Sequence, residues 1–184
     1  MKSKEMRSYF QLLENQRNDF YKKVIELEIN PSERPMPEKW SVMETIYHLI
    51  LMVRLVRRFS TLYLPLMLPY GYLRKNRTYK KETYNIYEEY NQVKKRAMRA
   101  PFLLTPKKNI HQRYDLRDLQ TLLISETNML KNKLSKIDEK VAGQIHYPDP
   151  IAYFPNVIQS VHLLAIHEQH HFNLVIKYEQ QRVM

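Results

Sequence analysis

A chain of 184 residues, 43% of them hydrophobic, has the length of a single domain (residues 1–184) and can bury a core without covalent staples. It contains no Cys, which excludes a disulfide framework, a thiolate nucleophile and a Cys-ligated metal site. Its two Gly are too few for a doubly wound nucleotide fold, and its formal net charge of +11 permits attraction to anionic substrates, nucleic acid or a membrane surface without specifying any of them.

The first predicted helix runs from about Lys4 to Glu28, where Leu13, Phe20, Val24 and Leu27 return at helical spacing. Its opening, MKSKEMRSYFQLLENQ, lacks the apolar core of a secretion signal, so a cytoplasmic location is expected. Asn30–Pro31 ends the helix. A second begins near Ser41, where Ser41 and Glu44 fit a capping box and Trp40 covers the helix start. Ile46, Leu49, Val53 and Val56 supply its buried side, and it is expected to stop at about Tyr63, before Pro65. Arg54, Arg57 and Arg58 break the longest apolar stretch, so no membrane insertion is expected.

The segment PLMLPYGYLRKNRTYKK is expected to be a loop with apolar anchors. ETYNIYEEYNQVKKRAMRA is expected to be a shorter helix closing one end of a bundle, its tyrosines packed and its basic side chains in water. Much of the positive excess falls between Tyr72 and Arg113. No zinc finger, Gly-rich RNA motif or recognition-helix pattern accompanies it, so a solvated basic surface is favoured over nucleic-acid binding. The clearest apolar seam, from Leu116 through Leu119, Leu123, Leu130 and Leu134 to Ile137, marks a long helix from about Asp115 to Lys140. The last helix begins near Pro155 and carries Val157, Ser160, Leu164, His167, His171 and Leu174 on one strip. Together these give an all-α protein, an antiparallel four-helix bundle with an additional short helix in the middle region.

His167 and His171 share one helical face, and His48 lies on the second helix, one turn after Glu44. If the bundle brings them together, three neutral imidazoles make a divalent-metal site with an open position. From spacing alone the alternative is that one or two are core or interface histidines with ordinary hydrogen bonds. Glu44 has two readings, as a partner of His48 or as a cap. Glu168 also has two, in proton transfer or in a surface salt bridge. His162 and His170 are expected to be peripheral, and His111 and His146 sit in loops. IHEQHH contains a literal HExxH, but an all-helical bundle is not the setting of a zincin.

WSVMETIYHL and LLAIHEQHHFNLV together resemble the helix-two and last-helix patterns of the DinB/YfiT-like superfamily of metal-binding four-helix bundles, over nearly the whole chain. Where the family often has Gln three residues after the final ligand, this chain has Leu174. The resemblance implies that His48, His167 and His171 form the metal triad, holding Zn or Ni first and Mn or Fe as alternatives. Characterised relatives are similar to thiol transferases that use bacillithiol, mycothiol or glutathione, or to maleylpyruvate isomerases. The resemblance therefore implies an enzyme that transfers or adds an exogenous low-molecular-weight thiol to a small electrophilic substrate, the metal favouring the thiolate. A metal-dependent hydrolase and a non-enzymatic, metal-stabilised binding or regulatory protein are the alternatives. A homodimer is expected, since bundles extend apolar packing across a symmetric face.

Overall fold

The computed structural model describes residues 1–89, 101–107 and 109–183. Four long helices, α1 (Lys4–Glu26), α2 (Val42–Arg74), α4 (Leu116–Leu134) and α6 (Val157–Val183), form the bundle. Two single-turn helices, α3 (Ile86–Glu89) and α5 (Glu139–Ala142), lie in the connections, with 3-10 turns at Phe102–Leu104 and Ile110–Gln112. No strand occurs among the described residues. α2 packs along α4, α1 packs along α6, and contacts between α2 and α6 join the two pairs.

The expected seams supply the core. Leu13, Phe20 and Val24 of α1 are buried, as are Ile46, Leu49 and Val53 of α2 and Leu119, Leu123, Leu130 and Leu134 of α4. Phe20 stacks on Phe172 of α6 with ring centroids 4.0 Å apart, which fixes the α1–α6 pair. Ser41 and Glu44 form the expected capping box at the start of α2. α6 opens with an equivalent exchange, in which the Gln159 N–H donates to Asn156 Oδ1 and the Asn156 N–H donates to Gln159 Oε1, both at 2.9 Å.

Several boundaries differ from the sequence-based expectation. α2 does not stop at Tyr63 but continues through Pro65 and Pro69 to Arg74, so the first part of the expected loop is helical. Both prolines are exposed, which leaves the carbonyls that lose a helical partner on the solvent side of α2 rather than in the core. Leu64 and Gly71 face inward, and a Cβ at Gly71 would lie 2.9 Å from Ile145 Cγ1, so only glycine lets the two segments approach this closely. α4 ends at Leu134 rather than Lys140, and Asp138 then caps the separate turn α5. α1 ends at Glu26, with Leu27 exposed. Of the helix expected over 82–100, α3 is the described part, and residues 90–100 lie outside the described residues.

α5 also holds the start of α1. Glu139 Oε2 accepts from Ser3 Oγ at 3.0 Å and from the backbone N–H groups of Lys4 and Glu5 at 2.9 and 3.3 Å, placing a carboxylate where the helix exposes its free donors. Burial alone would raise the Glu139 carboxyl, but these donors outweigh it and hold it below its ordinary 4.5. A depressed carboxyl contributes stability that is complete above the unfolded value and is lost as pH falls through the lower folded one. Glu139→Gln is therefore expected to lower stability at neutral pH and to flatten its decline below pH 4.5, as followed by urea unfolding at a series of pH values. An acid limb as steep in the variant as in the wild type would remove Glu139 from this role.

Candidate metal centre

The capping box fixes where α2 starts, and the next turn turns His48 into the bundle, 2% exposed. His167 and His171 come from one face of α6, His167 buried and His171 partly open. The three rings meet through their Nε2 atoms. His48 Nε2 lies 3.1 Å from His167 Nε2, and His171 Nε2 lies 3.0 Å from the same atom. The three form a group whose ligand atoms all lie within 4.8 Å of one another and which could hold a metal ion.

Protonation makes this donor set suitable. Burial lowers His48, against a raising hydrogen bond from its ring to the Leu104 carbonyl. His167 and His171 are held well below their ordinary value by burial, with the neighbouring imidazoles adding to the effect. All three are therefore neutral at neutral pH, the form that ligates. A carbonyl can only accept, so the 2.7 Å contact of His48 Nδ1 with Leu104 O places the ring proton on Nδ1 and turns the Nε2 lone pair toward His167. Hydrogen bonding alone then satisfies the group poorly, because one proton on His167 Nε2 cannot serve both neighbours. A cation at the meeting point of the lone pairs satisfies all three, so the residues present fit a divalent ion.

Aromatic walls complete the centre. The Trp40 ring lies 4.9 Å from His48 and 5.9 Å from His171, centroid to centroid. From α3, Tyr87 stacks on His170 at 4.2 Å and on His167 at 5.8 Å. Beside Tyr87 a groove of about 370 Å³ runs between α1 and α6, lined by Leu12, Gln16, Tyr87, Ala165, Gln169 and His170.

Both glutamates direct their carboxylates away from the triad, to other partners. The Glu44 carboxylate takes the Ser41 N–H and a guanidinium, with Arg34 Nε at 2.8 Å, so it caps α2 rather than orienting His48. Glu168 is 1% exposed and bound bidentately by Arg17 of α1, both bonds 2.8 Å, with a further bond from Gln16 Nε2. The expected surface salt bridge is thus a buried one, and its carboxylate faces α1. His170 lies outside the triad on Tyr87, and His162 stacks on Tyr9 at 4.2 Å. His111 is exposed in the 3-10 turn Ile110–Gln112, and His146 is exposed beside the start of α6. Sequence reasoning missed Arg17 and the Leu104 carbonyl; Arg17 is the one with a discoverable signal, a charged residue on the inward face of α1.

The family model of the DinB superfamily matches residues 31–175. The chain belongs to the DinB superfamily. The match takes in Trp40, the whole of α2 and all three histidines of this DinB centre, while α1 precedes it. Neither the curated proteins nor the solved structures give a match to the chain. No helix among the described residues is long and apolar enough to cross a membrane.

Proposed function

We propose that this DinB-superfamily chain is a divalent-metal-dependent enzyme that transfers or adds a low-molecular-weight thiol to a small electrophile. The observation that carries the reading is the convergence of three neutral imidazoles from two helices, with His171 left partly open. His48, His167 and His171 would hold the ion, with Zn or Ni the first candidates and Mn or Fe the alternatives. When bound there, a divalent ion supplies Lewis acidity that favours the thiolate form of a coordinated thiol.

The remaining work belongs to the chain. The Leu104 carbonyl keeps the His48 proton on Nδ1, which leaves its Nε2 lone pair to ligate beside His167 and His171. Trp40 and Tyr87 exclude water from two sides of the centre, and the groove beside Tyr87 offers amides and an imidazole to the polar parts of a thiol or its acceptor. The protein has no Cys, so the sulfur nucleophile must come from outside. The thiol gives up its proton and a sulfur lone pair forms the new C–S bond. In a transfer the leaving group departs with the electrons of the bond that breaks; in an addition the π or C–O electron pair moves to the neighbouring atom, which takes up a proton. Hydrolysis is the weaker reading, because Glu168, the carboxylate adjacent to the triad in sequence, is committed to Arg17 and supplies no general base for water.

The test loads the chain with Zn or Ni and offers bacillithiol, mycothiol or glutathione with a panel of haloalkanes, epoxides and activated alkenes. Thiol-dependent turnover that falls at least about 100-fold in His48→Ala is the expected result, a loss no smaller than disturbing the surroundings of a ligand causes. Full turnover in that variant, or metal-dependent turnover that needs no thiol, rejects the reading.

A further inference from the structure

Among the described residues, α2 carries a second face turned away from the core, with Phe59 at its edge against Tyr63 and Tyr147. Leu55, Phe59, Leu62, Leu66, Pro69 and Leu73 follow one another at spacings of four, three, four, three and four residues, the a/d repeat of a coiled-coil seam. All six are exposed, Leu62 and Leu66 at 76% and Leu73 at 87%. Leu64 and Gly71, on the opposite side of the same helix, are the residues that pack into the bundle. The seam presents on the order of 700 Å² of apolar surface, more than the roughly 300–600 Å² of the largest patch on an ordinary monomer and close to the ~800 Å² each partner contributes to a standard interface.

The occupant is written into the order of the residues. The seam is symmetric about Leu64: Leu55 and Leu73 lie equally far from it, as do Phe59 and Pro69, and Leu62 and Leu66. Two copies of α2 laid antiparallel about a two-fold axis at that level therefore match leucine with leucine at both ends and at the centre, and set each phenylalanine against a proline. The same arrangement brings the exposed Arg58 to the level of Tyr70 in the second copy, whereas a parallel pairing sets Arg58 against itself. We infer that the chain is a two-fold homodimer in which the outer seam of α2 packs antiparallel on the same seam of a second copy.

The experiment needs neither metal nor turnover, so its failure is distinct from failure of the proposed reaction. Sedimentation of the full chain at micromolar concentration is expected to give a dimer. Combining L62E with L66E changes two exposed side chains, leaves helicity intact by circular dichroism, and is expected to weaken association more than about 100-fold. Because the chain has no Cys, the orientation can be read by oxidation. L62C mixed with L66C, after subunit exchange, is expected to form a cross-linked dimer that neither variant forms alone. A monomeric wild type overturns the inference, as does a dimer that survives L62E with L66E. L62C cross-linking to itself overturns the antiparallel register.

Discussion

Replacement of His167 by alanine is expected to abolish tight retention of a divalent ion and to erase the rise in melting temperature that the ion produces in the wild-type chain. His167 is the residue to change because its Nε2 lies at 3.0–3.1 Å from both other donor atoms; without it the group is reduced to two rings on different helices. Loss of residues that merely orient a ligand typically costs 10–100-fold in affinity, so loss of a ligand should exceed about 100-fold. An ion present at ~100 times its Kd stabilises the folded state by about 2.7 kcal/mol, and for a domain of this size that raises Tm by roughly 5–11 °C. The variant should show no such rise, and metal analysis after dialysis should find it empty. His170→Ala is the matched control, since its ring stacks on Tyr87 and lies outside the group; it should keep both the ion and the shift. A metal-induced rise that survives in His167→Ala would mean that the three rings are packed for stability and bind nothing together.

That the three histidines meet was implied by the resemblance to the DinB/YfiT-like superfamily, while the two features that place them on their helices were legible because they are local. A four-residue spacing fixes one face of α6, and the Ser41–Glu44 box fixes the start of α2 and so the direction in which His48 points. The seams of α1, α4 and α6 were legible for the same reason. What escaped depends on partners distant in the chain. Whether a helix survives Pro65 and Pro69 is decided by which side of α2 faces solvent, and this in turn rests on Gly71 meeting Ile145. The acceptor that fixes the His48 proton is a main-chain carbonyl 56 residues away, and a carbonyl leaves no mark in a sequence. For Glu168 the sequence leaves two readings, proton transfer or a surface salt bridge, because nothing near it in the chain identifies its partner. Arg17, which buries it, lies 151 residues earlier, on a helix that precedes the segment matching the DinB superfamily.

That ion pair carries the larger expected effect on folding. Glu168→Ala leaves the Arg17 guanidinium buried, its side chain 6% exposed, with no charge opposite it, and deprives Gln16 of one acceptor. Breaking a buried pair in this way typically costs about 3–5 kcal/mol, a large part of the ~5–15 kcal/mol that holds a domain folded. The midpoint of urea unfolding should fall accordingly. Replacing both charges by apolar groups of similar volume, Arg17→Met with Glu168→Leu, removes the uncompensated charge and should recover most of the loss, because desolvating two ions offsets much of their attraction. The double variant also separates structure from chemistry. Glu168 lies between two of the three histidines in sequence yet directs its carboxylate at α1, so the stable double variant should still bind a divalent ion with near wild-type affinity. If it folds normally but fails to bind, then Glu168 acts on the imidazoles beside it, and the division between a carboxylate that pins α1 to α6 and histidines that face α2 would have to be abandoned.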